Sequence, residues 1–328
     1  MPSIKDTSNE MIQFVFPEHA NNYGTLHGGR LMNWIMVLGS ITSSRIAKGM
    51  IVLGTADSID FLNPVRTGEV VLLSSWVEYI GTSSMEIGVK VQSENTATGE
   101  KKLTTFSHLA YVAIDEKGKP KKLENQIIPA DQRERKVYED AKIRKKERLK
   151  RLKAGKQTHE DIKNINSNEW QIETIRVVLP EDAFYGNFLS VGKLMMDIDE
   201  TGAILARKFT RGVVVTGSVD DVHFYEPIKV GEVITLNARI NYIGRSSMDI
   251  EVNVFTENLT TAVKKHSCTA YLNFVNINKQ GRPAEIANKI TPSTKYQKQL
   301  WSESEERKAR RFERVKKIRK SYLDQSII

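Results

Sequence analysis

The strongest constraint on this chain is that its second half repeats its first. A shift of 163 residues aligns "SIDFLNPVRTGEVV" with "DVHFYEPIKVGEVI" and "YIGTSSMEIGVKV" with "YIGRSSMDIEVNV". Between 17–95 and 180–258, 31 of 79 positions are identical without a gap. Chance produces only a handful of such identities, so the chain is a tandem duplication, and we expect two copies of one folded unit.

Each copy has the pattern of one long helix followed by antiparallel strands. The loop "FPEHANNYGTLHGG" leads into about 17 residues with helical apolar spacing. Segments of alternating polarity follow at 70–79, 85–92 and 105–114, separated by proline and glycine turns. Gly39 and Gly202 lie in mid-helix, where glycine is unfavourable, and predict a close backbone approach. The expected class is α+β, with the helix covering one face of the sheet.

Two segments carry the surplus positive charge. Residues 133–157 hold 12 Lys/Arg against 4 Asp/Glu, and 303–320 hold 9 against 4, so the rest of this +9 chain is close to neutral. The favoured interpretation is a pair of solvated helices lying along the body. The alternative is that their cations face a polyanion or a phosphorylated ligand.

The domain boundaries follow from the repeat and from these charged segments. We expect domain 1 at 8–130, a charged helical linker at 131–168, domain 2 at 169–290 and a charged C-terminal helix at 291–328.

Composition places the chain among cytoplasmic globular proteins. Hydrophobic residues make up 40% and charged residues 27%, no apolar run reaches the length of a membrane span, and the first residues lack a secretory pattern. Cys268 is the single cysteine, so we expect no internal disulfide and an inert thiol.

The differences between the copies indicate chemistry. Asp199 aligns with Met36 and shares the apolar helix face of Met195 and Gly202. A buried carboxylate there would have a raised pKa, as a general base requires. The alternative, which the neighbouring Asp197 permits, is a rotated helix that leaves Asp199 exposed or capping; the sequence favours neither.

The loop before the first helix provides a complementary feature. "HGG" directly precedes the helix, so the N–H groups of Gly28, Gly29 and Arg30 open it and can stabilise an oxyanion. The alternative is an ordinary glycine entry turn.

In combination, these motifs resemble the acyl-CoA thioesterases of the hotdog fold, in their tandem double-hotdog form. "NNYGTLHGGRLM" at 21–32 matches the first half of the family pattern, and "LMMDIDE" at 194–200 matches the second. "VDDVHFYEPIKVGE" and "IGRSSMDIEV" match its strand motifs. The resemblance spans about 10–155 and 170–325.

The resemblance implies hydrolysis of an acyl-CoA thioester at one composite site, with Asn21 from one copy and Asp199 from the other. Asp199 would be the general base or the nucleophile, Asn21 would orient water or the carbonyl, and the Gly29 N–H would polarise the thioester. His27 resembles a general base by residue type, but the family resemblance favours a loop role for it over catalysis. The reciprocal site, with Phe184 and Met36, should be inactive. No metal or redox cofactor is implied.

The resemblance also implies groups that bind CoA. Arg144 or Lys145 would hold a phosphate. The remaining candidates are small and hydroxyl residues at strand edges, together with their counterparts in the second copy: Gly54, Thr55, Ala56, Ser83, Ser84, Met85, Gly217, Ser218 and Val219.

The family further implies a homo-oligomer, with a trimer of tandem chains favoured. Two other functions stay open. A hotdog hydratase would pair a histidine with the acid, and no histidine is seen to partner Asp199 in the sequence. An acyl-CoA sensor, or a nucleic-acid-binding protein using the basic helices, is the non-catalytic alternative, although those helices lack aromatics for base stacking.

Overall fold

The computed structural model describes residues 1–154, 170–220 and 222–323. The end of the predicted linker and the last residues of the predicted C-terminal helix lie outside these ranges. The first half contains β1 to β6 with α1, and α2 follows it. Their bounds are β1 Asn9–Phe14, α1 Gly28–Ala47, β2 Ile51–Ala56, β3 Ile59–Asp60, β4 Val70–Ile80, β5 Ser84–Glu94, β6 Lys101–Ala113 and α2 Gln132–Ala154.

The second half repeats this order and ends in α4. Its bounds are β7 Gln171–Val177, β8 Ala183–Tyr185, β9 Phe188–Leu189, α3 Val191–Thr210, β10 Val213–Val219, β11 Val222–Phe224, β12 Val233–Ile243, β13 Ser247–Asn258, β14 Val263–Ile277 and α4 Lys295–Leu323. The predicted α+β class is confirmed, since each half wraps an antiparallel sheet around one long helix.

The two halves share one sheet. In the described part of the chain its twelve strands run in the main order β1-β4-β5-β6-β2-β11-β14-β13-β12-β7. The halves join where β2 pairs with β11 and β3 pairs with β10. The hydrophobic core lies between this curved sheet and the two central helices.

The central helices α1 and α3 pack against each other through glycines. A Cβ on Gly29 would come within 3.0 Å of the Met196 Cα, and one on Gly192 within 3.1 Å of the Asn33 Cα. Because these two contacts are related by the 163-residue shift, the halves pack about a pseudo-two-fold axis. This packing brings the start of each helix against the middle of the other.

The predicted close approach at the mid-helix glycines is present, but it is to side chains and not to backbone. A Cβ on Gly39 would lie 2.7 Å from a Leu109 methyl, and one on Gly202 would lie 2.8 Å from the Phe274 ring. Strands β6 and β14 press large side chains into the helix face at these points.

The charged helices are not simply solvated, and the favoured interpretation is wrong for one face of each. On α4, Arg307 pairs with Asp249 at 2.7 Å, and Arg314 reaches Asp60 of the first half at 2.9 Å. On α2, Arg148 pairs with the buried Glu86. Carboxylates buried between a helix and a sheet are stable only when they are paired. These arginines provide the pairing for the carboxylates on the outer face of the sheet.

Candidate active site

Asp199 lies at the middle of α3 and is completely buried. Its Oδ2 accepts a hydrogen bond from the Gly29 N–H of the first half at 2.7 Å. Its Oδ1 accepts one from the Thr216 hydroxyl at 2.7 Å. Of the two positions that the sequence left open, the buried one is therefore observed. Asp197 lies nearer the surface and pairs with Arg176.

The surroundings of Asp199 make it harder to ionise than an exposed aspartate. Burial raises the pKa of Asp199, and the nearby His27, Thr216 and Gly29 N–H oppose this increase only in part. A carboxyl with a raised pKa is a better proton acceptor once ionised than an exposed aspartate.

The two glycines of "HGG" allow the first half to lie flat on this carboxylate. A Cβ on Gly28 would be 2.8 Å from the Thr216 side chain, and one on Gly29 would be 3.1 Å from the Asp199 Cβ. A side chain at position 28 would collide with Thr216 of β10, and one at position 29 would displace α3, so both glycines favour the close contact between the halves.

His27 lies between Asp199 and a cleft, so the expectation that no histidine partners Asp199 is wrong. Its Nδ1 is 3.2 Å from Asp199 Oδ2 and 3.2 Å from the Gly29 nitrogen, and its side chain is 34% exposed. The Gly29 N–H is already bonded to Asp199 at the shorter distance. Two acceptors at 3.2 Å repel each other unless a proton lies between them, so we assign that proton to the bond between Nδ1 and the carboxylate.

The side chain of Asn21 makes its hydrogen bonds within its own loop. Its Oδ1 accepts from the Tyr23 N–H at 2.9 Å, and its amide donates to the Thr25 hydroxyl at 3.0 Å. Asn21 lines the same cleft as His27, as the composite site requires, but its hydrogen bonds shape the loop and do not reach Asp199.

The cleft has a volume of about 610 Å³ and lies between the halves. Loops of the first half form one wall, and α3, β10 and β14 of the second half form the other. Gly28, Thr216 and Gly217 lie along it, and it continues over the apolar Val213 and Ile204. The latter two side chains are 40% and 43% exposed. An apolar chain placed there would cover them.

A smaller cavity of about 260 Å³ lies at the pseudo-equivalent position. The candidate catalytic positions are replaced there by apolar or smaller groups. Met36 stands for Asp199, Leu53 for Thr216, Ser190 for His27, Val191 for Gly28 and Phe184 for Asn21.

The predicted CoA residues divide between these two cavities. Gly217 lines the cleft and Gly54 lines the smaller cavity. Their neighbours in the strands are largely buried: Thr55, Ala56, Met85, Ser218 and Val219. Ser83 and Ser84 lie at the β4–β5 turn on the side of the smaller cavity, because Ser84 pairs with Val112, which lines it.

The two predicted phosphate ligands also belong to this side. The Lys145 ammonium lies against Gly81, next to Ser84. The Arg144 guanidinium is committed to the buried Glu78. Burial alone would raise the pKa of Glu78, but His108 and Arg144 together hold it below its usual value.

On the side of the cleft at Asp199, the counterpart of Lys145 is Lys308 on α4. Lys308 was not among the residues expected from the sequence. Its ammonium is 3.3 Å from the Tyr242 hydroxyl and lies near Gly244, the counterpart of Gly81. The 163-residue shift could have found Lys308, since it maps position 145 onto 308. The same shift could have found Thr216, since it aligns this hydroxyl residue with the apolar Leu53.

The fold and this site define a double-hotdog protein with an acid at the junction of its halves. The profile of the thioesterase superfamily matches residues 23–100 and 186–263. The chain is 30% identical over 307 residues to the cytosolic acyl coenzyme A thioester hydrolase of Mus musculus, covering 89% of this chain and 80% of the relative. The chain therefore belongs to the acyl-CoA thioesterase family.

Two further comparisons agree with this assignment. The uncharacterized acyl-CoA thioester hydrolase YkhA of Bacillus subtilis is 40% identical over 137 residues, covering 42% of this chain and 79% of that protein. The crystal structure of an acyl-ACP thioesterase from Bacteroides thetaiotaomicron superposes with a TM-score of 0.53 at 12% identity, over 83% of this chain and 99% of that chain. This last likeness supports the fold alone.

Within the described residues, none of the helices is both long and apolar enough to cross a membrane.

Proposed function

We propose that this chain hydrolyses acyl-CoA thioesters to a free fatty acid and CoA at the single composite site. The observation that carries the proposal is the buried Asp199 of one half held by the Gly29 N–H and His27 of the other, beside an apolar cleft. The test is release of free thiol from acyl-CoAs ranging from acetyl to palmitoyl. Absence of release at every chain length would refute it.

Asp199 acts through a partner. Both of its oxygens are held, and it is closed off from the cleft. His27 is bonded to it and reaches the cleft, so its Nε2 takes a proton from water as the water oxygen bonds to the thioester carbon. The C–S bond then breaks, and the imidazolium returns that proton to the CoA sulfur. This arrangement favours general-base chemistry over attack by the carboxylate, and it needs no metal or redox cofactor.

The start of α1 stabilises the developing oxyanion. The Gly29 N–H, predicted for this role, is bonded to Asp199. The thioester oxygen therefore accepts a hydrogen bond from the N–H of Gly28, which lines the cleft at the helix N-terminus. Asn21 keeps the loop of His27 in place.

Replacing His27 tests this arrangement directly. We expect His27→Gln to lower kcat by about 10²- to 10³-fold with little change in KM, because a positioned base is lost and the cleft is kept. Added imidazole should partly rescue His27→Ala. A variant within fivefold of wild type would mean that Asp199 acts on water itself.

The CoA part of the bound substrate extends out of the cleft towards α4. Gly217 lines the cleft beside Thr216, and the Lys308 ammonium lies beyond it, near the β12–β13 turn. Lys308, with Ser246 and Ser247, is the proposed contact for the CoA phosphates at the complete site. A point charge on a flexible stem suits a phosphate.

The proposed assembly is a trimer of tandem chains. Both ends of the long sheet carry an exposed apolar stripe on an edge strand, and the two stripes are related by the repeat. They consist of Ile12, Phe14 and Phe16 at β1, and Ile175, Val177 and Leu179 at β7. Exposed apolar stripes at sheet edges invite pairing, and a head-to-tail contact between unlike ends can close into a ring.

A charge in one stripe should dissociate the assembly. We expect Phe14→Lys to reduce the mass measured by light scattering from that of the oligomer to one chain, 37.2 kDa. Burying an unpaired ammonium between copies is unfavourable. The matched control is Phe312→Lys, 63% exposed on α4 between Arg311 and Arg314, which pair with Asp220 and Asp60 at the junction of the halves; it should leave the mass unchanged. An oligomer that survives Phe14→Lys would place the interface elsewhere.

The proposed location is the cytosol, in keeping with the names of the mammalian relatives.

A further inference from the structure

The smaller cavity has lost every group that performs chemistry in the cleft. Neither Met36 nor Leu53 can accept or position a proton, and Val191 carries a side chain where the cleft has Gly28. Ser190, the counterpart of His27, is the N-cap residue of α3 but makes no side-chain hydrogen bond to the start of the helix. Hydrolysis at this position is therefore excluded by composition.

The cavity has nevertheless stayed open. It has a volume of about 260 Å³ and opens to solvent, so its largely apolar lining stays in contact with water. At its mouth, Phe184 and Tyr225 are each 38% exposed. The counterpart of Phe184 is the polar Asn21, so an apolar side chain occupies a partly exposed position where the other copy has an amide. A bound apolar chain would fill the void and cover both rings.

The outer end of the same cavity keeps the features of the CoA side. Gly54 and Val112 line it, and Val112 pairs with Ser84. The Lys145 ammonium lies against Gly81, beside the Ser84 hydroxyl, which is the position that Lys308 takes relative to the cleft. An apolar interior that leads past small residues to a cation matches an acyl chain attached to a phosphorylated carrier.

We propose that this cavity binds a second acyl-CoA without hydrolysing it. Its acyl chain lies between Met36, Leu53 and Phe184, and its phosphates lie at Lys145. The identity of the ligand rests on the proposed function, because the recognition features are shared with the cleft. The chain would then hold two acyl-CoA molecules and turn over only one.

Calorimetric titration of the full chain with S-octyl-CoA, a thioether that cannot be hydrolysed, tests this proposal. We expect two molecules bound per wild-type chain. Leu53→Trp should fill the cavity and reduce the number to one, while hydrolysis of octanoyl-CoA stays within about twofold of wild type. Ser190→Leu, which removes no capping hydrogen bond, is a second variant with the same expected result if Leu53→Trp folds poorly.

The outcomes separate this inference from the proposed function. One molecule per wild-type chain, or two that persist in both variants, overturns the second site. Octanoate binding there as tightly as S-octyl-CoA also overturns it, because the ligand would be a fatty acid without a CoA requirement. A protein that binds two S-octyl-CoA molecules but releases no thiol from any acyl-CoA would contradict the proposed function and leave the second site supported.

Discussion

Asp199→Asn should lower kcat for thioester hydrolysis by about 10³-fold or more, with the fold and the affinity for S-octyl-CoA retained. Asparagine has the shape of aspartate, so its oxygen can still accept from the Gly29 N–H and its amide can still bond to the Thr216 hydroxyl. Without a negative charge, it cannot stabilise an imidazolium at His27. Loss of a positioned acid–base system typically removes 10²- to 10⁴-fold in rate. Thiol release under saturating acyl-CoA measures the effect.

The matched control is Asp197→Asn, two residues away on the same helix. Asp197 pairs with Arg176 near the surface, so its loss should leave kcat within about twofold of wild type. Equal losses in both variants would show that helix α3 is merely sensitive to charge and would remove Asp199 from the mechanism.

Asp199→Asn should also change the thermal stability of the protein in a pH-dependent way. Burial raises the pKa of Asp199 in the folded state, so ionisation disfavours folding as the pH rises above the ordinary aspartate value of about 4. Asp199→Asn should therefore unfold at a higher temperature than wild type at pH 8, and the difference should shrink towards pH 4. A carboxylate that is kept despite this penalty is typical of a functional group.

Met36→Asp should destabilise the protein by about 3 kcal/mol at pH 7 and should create no second active site. The new carboxylate would face Leu53 and Ser190, where Asp199 faces Thr216 and His27. Only the Gly192 N–H, the counterpart of Gly29, is left to bind it. The free energy of unfolding from urea titrations measures the loss, which should diminish at pH 4 because a protonated aspartate is less costly to bury.

Restoring the partners should reverse part of this loss. We expect Met36→Asp combined with Leu53→Thr, Ser190→His and Val191→Gly to be more stable than Met36→Asp alone. In the background of Asp199→Asn, the combined variant should also recover measurable thioesterase activity. If Met36→Asp without the other three changes already restores hydrolysis to Asp199→Asn, then the histidine, threonine and glycine are dispensable, and the proposed dyad is wrong.

Much of the architecture could be predicted because the repeat is a local property of the chain. Identities spread over 79 positions indicate two copies of one unit, and the period of the apolar residues indicates one helix and a sheet in each. The arginine face of α4 escaped prediction. Charge alternation looks the same on a solvated helix as on one whose arginines pair with Asp249 and Asp60, because those carboxylates lie 58 and 254 residues away.

The sequence by itself determined that the chain is duplicated, that it belongs with the acyl-CoA thioesterases, and that positions 36 and 199 differ in chemistry. The tertiary structure alone decided what surrounds Asp199. Thr216 is 17 residues from it and Gly29 is 170 residues from it, and His27 enters from the opposite half. These groups meet because glycines let α1 and α3 pack closely about a pseudo-two-fold axis, and contacts made by packing between the halves leave no local pattern in the chain.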